Sequence, residues 1–103
     1  MIACARCGKM LGGEGLPGPR ASISGSVMGD EITDSYYFCE ECGLYTVEVR
    51  RDRFLGPEEV SRRGPLSKEE AGEKIGLIEG CPEPWDKKCR CPVHLTYFEG
   101  WLD

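Results

Sequence analysis

The chain has 103 residues, of which seven are cysteine; only 21 are Leu, Ile, Val or Phe, and Gly and Pro take another 21. Apolar content that thin leaves room for one small hydrophobic core and excludes two, so something besides apolar burial must hold the chain together. A formal charge of −5 disfavours nucleic acid and anionic membrane as partners, and no apolar run nears the roughly 18 residues that cross a bilayer.

In chain order, Cys4-Ala5-Arg6-Cys7-Gly8 comes first, followed by a Gly/Pro loop over 12–19 with no periodicity. Residues 21–27 alternate strictly: Ala21, Ile23, Gly25 and Val27 on one face and three serines on the other. This is the period of a strand with one polar face. Gly29-Asp30 reads as a hairpin turn, and 32–38 as the return strand. There Tyr36 and Tyr37 point opposite ways, one inward and one toward solvent beside Arg50 or Arg62. After Cys39-Glu40-Glu41-Cys42-Gly43, alternation resumes over 44–50 with Tyr45, Val47 and Val49 on one face. A three-stranded antiparallel sheet over 20–52 is expected.

Gly56-Pro57-Glu58-Glu59 carries the marks of a helix start, and Gly64-Pro65 those of its end. Ser67 with Glu70 three residues on forms a capping box. Ala71, Ile75 and Ile78 recur at helical spacing, which predicts a helix over 68–79 that lays this stripe on the sheet and stops at Gly80. Beyond Cys81, Pro82, Pro84 and Pro92 predict irregular chain, with Tyr97, Phe98 and Trp101 folding back onto the body. The expected class is α+β in one small domain: a sheet over 1–54, a helical segment over 55–80 and a C-terminal Cys/His segment over 81–103.

The two Cys-x-x-Cys-Gly units carry chemistry. Two intervening residues let the chain curl so that both sulfurs reach one ion about 2.3 Å away. The following Gly tolerates the positive φ of so tight a turn. Cys4, Cys7, Cys39 and Cys42 together supply the four ligands of a tetrahedral ion. In this respect residues 1–54 resemble the zinc ribbons, in which two knuckles share one zinc, although 31 residues separate Cys7 from Cys39 here. The pair of knuckles is also similar to rubredoxin, which implies iron at this site and one-electron transfer. The serine-rich strand 21–27 departs from the aromatic interior of that family.

The remaining thiols, Cys81, Cys89 and Cys91, lie within fourteen residues of the chain that end at His94, the sole histidine. Seven cysteines and one histidine thus divide into two sets of four and imply two zinc ions. Whether the sets partition in sequence or interleave is open. The prolines stiffen this segment, Lys87, Lys88 and Arg90 bring positive charge that would lower thiol pKa values, and Trp85 is expected to pack over the ion as a lid.

Met1-Ile2-Ala3-Cys4 carries no basic and apolar leader, so a cytoplasmic address is expected, where paired cysteines serve as metal ligands more often than as disulfides. Both metal sets are closed by protein ligands, the histidine is consumed, and no hydrolase or phosphate-binding motif occurs, so the chain is not expected to be an enzyme. The expected function is a structural zinc module that presents a surface to another protein. The alternatives are rubredoxin-like electron transfer, and nucleic-acid binding through Arg50, Arg51, Arg53, Arg62 and Arg63, where the local charge is +2 over 50–63.

Overall fold

The computed structural model describes residues 2–12, 15, 18–27, 29–53 and 56–98. Strands β1 (Ile2–Ala3) and β2 (Met10–Gly12) form a two-stranded sheet. Strands β3 (Ala21–Val27), β4 (Asp30–Cys39), β5 (Leu44–Asp52) and β6 (Glu59–Leu66) form a four-stranded antiparallel sheet in sequential order. Helices α1 (Lys68–Glu79) and α2 (Pro92–Tyr97) follow. The architecture is therefore α+β as expected, with one more strand in the main sheet, one more small sheet and a helix, α2, where irregular chain is expected. No helix among the described residues is long and apolar enough to cross a membrane.

The three expected strands form where alternation placed them, with Val27 opposite Asp30 across the Gly29 turn and Cys39 opposite Leu44. Register puts Ala21, Ile23, Tyr36, Val47 and Val49 on one face. Helix α1 packs there as the sequence predicts: Ser67 Oγ accepts from the Glu70 N–H at 3.1 Å, Gly80 caps the C-terminus, Ala71 and Ile78 are buried, and Ile75 packs against them. Ile23, Tyr36, Val47, Ala71, Ile78 and Tyr97 form the main core, with Phe98 against it. The return of Tyr97 and Phe98 is thus as expected, while Trp101 lies outside the described residues.

Residues 59–66 are a strand, not the expected helix. The Pro57 and acidic residues that mark a helix start are local cues, but the free edge of β5 offers a ladder from Arg51 opposite Glu59 to Tyr45 opposite Leu66, with one register shift between Val47 and Tyr45. Arg50 pairs with Glu58 at 3.2 Å and Arg53 with Glu59 at 2.8 Å across this junction. Pro65 has no N–H to donate and suits the outermost strand, and the exposed charges of β6 protect that edge.

The C-terminal segment is also less irregular than expected. Pro92 opens α2, because the first helical position has no intrahelical N–H bond to lose. The serine face of β3 is not simply solvated either: Ser24 is buried, since the segment after Cys81 covers that edge. Of the two adjacent tyrosines, Tyr36 is buried and Tyr37 is half-covered by the small β1–β2 sheet, whose Gly12 leaves no room for a side chain between Ile2 and the Tyr37 ring.

Candidate metal centres

The first centre is built from two matching turns. Gly8 N–H donates to Cys4 C=O at 3.0 Å and Gly43 N–H to Cys39 C=O at 2.8 Å, and both glycines have positive φ, 79° and 67°. One turn lies between β1 and β2, the other at the tip of the β4–β5 hairpin. The Ala5 N–H donates to Thr46 Oγ1 at 2.9 Å and Arg62 Nη1 to the Ala3 carbonyl at 3.2 Å, which dock the N-terminal turn on the main sheet. Thr46 is fully buried there, a contact that nothing in its sequence position announced.

The four sulfurs lie within 4.8 Å of one another, with Cys4–Cys42 at 3.9 Å and Cys7–Cys39 at 3.7 Å. A tetrahedron with zinc–sulfur arms of 2.3 Å has edges of about 3.8 Å. All seven thiols are free. Burial pushes the Cys4 thiol up, but the backbone N–H groups of Cys7 and Arg6 and the neighbouring thiols outweigh it and hold it at about 6. Cys42 is pushed up to about 12, first by donating to Cys7 and then by burial. Cys4 and Cys39 are buried, and Cys7 faces solvent.

The second centre follows α1 directly. The Cys81 N–H donates to Ile78 C=O at 3.0 Å, which fixes its thiol at the end of the helix. Two tight turns, from Glu83 to Asp86 and from Asp86 to Cys89, bring the chain back. Cys91 is the N-cap of α2, and His94 lies one turn on. From Cys81 Sγ the distances are 3.8 Å to Cys89 Sγ, 3.5 Å to Cys91 Sγ and 3.2 Å to His94 Nδ1, and Cys91 Sγ lies 3.6 Å from Nδ1. These again suit one tetrahedral ion. The ligands partition in sequence, four and four, without interleaving.

His94 is fully buried, and its other ring nitrogen, Nε2, lies 3.0 Å from the Ser24 carbonyl. With Nδ1 on a metal, Nε2 carries the proton and donates it, the arrangement that orients metal-bound histidines. The Ser24 N–H in turn donates to Pro84 C=O at 2.8 Å. Both backbone groups on the outer edge of β3 are thus satisfied by the second centre. Because Ser24 contributes through its backbone, its side-chain identity gave no signal of this role.

Two of the basic residues beside the second centre are engaged with other groups of the fold. Lys87 pairs with Glu31 at 3.2 Å, and Arg90 donates to the carbonyls of Lys87 and Cys89. The Cys91 thiol is lowered to about 6 first by the backbone N–H of His94 and then by its ring, while burial pushes Cys81 up to about 11. Trp85 is no lid either: it is 70% exposed, because the Pro84 carbonyl is bound to β3 and the next side chain turns away.

The arginine segment is largely occupied within the molecule. Arg50 pairs with Glu58, Arg51 with Asp30 at 2.7 Å, Arg53 with Glu59 and Arg63 with Asp34 at 2.9 Å, and Arg62 holds the Ala3 carbonyl. The two four-ligand clusters fit a zinc-binding domain. No family model, curated protein or solved structure matches the chain, so the clusters stand on their own geometry.

Proposed function

We propose that the chain is a structural, non-catalytic zinc module whose two closed sites fix a thin-cored fold and present its surface to another protein. The observation that carries this reading is the division of all seven cysteines and the one histidine into two sets of four, each within ligand reach of one ion. A catalytic zinc keeps an open position and needs a general base. Four protein ligands leave no such position, and His94 has one nitrogen at the thiols and the other at the Ser24 carbonyl. A structural zinc supplies binding free energy on the order of 10 kcal/mol, comparable to the whole stability of a small domain. Exposed Trp85 supplies a contact for a partner protein. A strong chelator should therefore abolish the near-UV tertiary signal. A metal-free chain that keeps that signal contradicts the structural role.

Iron is the second reading for the first centre alone, favoured by its four thiolates, which suit iron as well as zinc. A visible thiolate-to-iron absorption in protein from the native source would favour electron transfer, and a colourless protein zinc. Nucleic-acid binding has less support, since the five arginines have partners in the molecule. Absence of a salt-sensitive shift with DNA or RNA at low ionic strength would dismiss it.

A further inference from the structure

Between α1, the end of α2 and the strands lies a pocket of about 410 Å³, lined by Asp34, Arg63, Lys74 and an apolar wall of Ile32, Val49 and Phe98. It is separate from both metal centres. Asp34 is 5% exposed and stands on the core face of β4. Its Oδ2 accepts from the Tyr97 hydroxyl at 2.7 Å and from Arg63 Nη2 at 2.9 Å. Tyr97, having donated its proton there, accepts from the Tyr36 hydroxyl at 2.6 Å. The other oxygen, Oδ1, is buried without a hydrogen-bond partner among the described residues.

A tie between α2 and the sheet needs only Oδ2. A desolvated carboxylate oxygen with no donor is costly, and a buried polar group without a partner calls for a reason beyond packing. In a chain with so few large apolar residues, an aliphatic side chain in phase with Ile32 and Tyr36 would serve the core better. Lys74 brings a positive charge to the same pocket. Its ammonium lies 5.5 Å from the Tyr97 ring centroid and enters no ion pair among the described residues. Pockets that join an apolar wall to a few converging polar groups are the usual form of small-ligand sites.

We infer that this pocket binds a free α-amino acid with an apolar side chain. The adjacent charges of Asp34 and Arg63, 2.9 Å apart, match the adjacent ammonium and carboxylate of such a ligand set head to tail. The ammonium supplies the donor that the Asp34 carboxylate lacks, the carboxylate turning its buried Oδ1 toward the ligand on binding. The carboxylate lies against Arg63 and Lys74, which together with Asp34 leave the pocket a net positive charge. The side chain covers Ile32, Val49 and Phe98.

The test is titration of the metal-loaded full chain with L-leucine and L-phenylalanine, followed by backbone amide shifts in NMR. Isocaproate, which lacks the amine, and leucinamide, which lacks the carboxylate, serve as controls. Saturable shifts around Val49 and Phe98 are expected, with a Kd of about 0.1–1 mM for so small a ligand. Each control should bind at least about tenfold more weakly. Lys74→Ala, on the flank of α1, should keep the tertiary signal and weaken leucine about fivefold. Three results would each overturn the inference. They are no saturable shift up to about 10 mM of either amino acid, isocaproate binding as tightly as leucine, and unchanged leucine affinity in a folded Lys74→Ala chain.

Discussion

The first centre gathers Cys4 and Cys7 with Cys39 and Cys42 across 31 intervening residues, whereas the second draws all four ligands from the stretch between Cys81 and His94. An ion at the first centre closes a long loop and fastens the β1–β2 sheet to the tip of the β4–β5 hairpin. An ion at the second closes a short one, and its hold on the sheet runs through two contacts beyond the ligand shell, His94 Nε2 to Ser24 C=O and Ser24 N–H to Pro84 C=O. Closing a longer loop restricts the unfolded chain more. The second centre, by contrast, positions α2 and with it Tyr97, a member of the main core. Ligand spacing along the chain therefore does not rank the two centres by structural importance; what each one anchors does.

That contrast can be broken most severely at the buried ligand Cys81. Cys81→Ser should remove the second ion, release α2 and Tyr97 from the core, and lower the thermal midpoint by more than about 10 °C, since a structural zinc contributes on the order of 10 kcal/mol. Cys7→Ser, at the exposed ligand of the first centre, should also cost one ion but leave the second bound and the main-core tyrosine signals intact. If Cys7→Ser strips both ions, the centres are not separable. A finer cut is His94→Cys, which keeps a fourth ligand as a thiolate but removes the hydrogen bond to Ser24. Zinc content should stay at two per chain while stability falls by about 1–3 kcal/mol in denaturant unfolding. Loss of the second ion instead would mean that the imidazole matters as a ligand more than as a grip on β3. Smallest of all, Trp85→Ala should shift stability by no more than about 0.5 kcal/mol, as expected for an exposed side chain rather than a lid.

Much of this arrangement is legible in the amino-acid sequence. The strict alternation of Ala21 to Val27, the Ser67–Glu70 box and the paired Cys-x-x-Cys-Gly turns are local signals, and their elements form where those signals place them. The eight residues singled out as ligands come together as two groups. Where the sequence misleads, local chemistry is set against long-range pairing. Pro57 and its acidic neighbours mark a helix start, yet the unpaired edge of β5 draws 59–66 into a strand. Pro92 reads as a breaker, yet it sits at the one helical position where its missing N–H costs nothing. The Asp34 network is half visible, since Asp34 falls in phase with Ile32 and Tyr36 on an inward face. Its partners Arg63 and Tyr97 are 29 and 63 residues away, beyond any periodicity. The role of Ser24 runs through backbone atoms that every residue shares.

The central claim, two closed centres with one ion each, is tested most directly by counting metal. Elemental analysis and native mass measurement of the reduced wild-type chain should find two zinc ions bound to each chain. A single ion would contradict the second centre, and a folded chain without metal would contradict both.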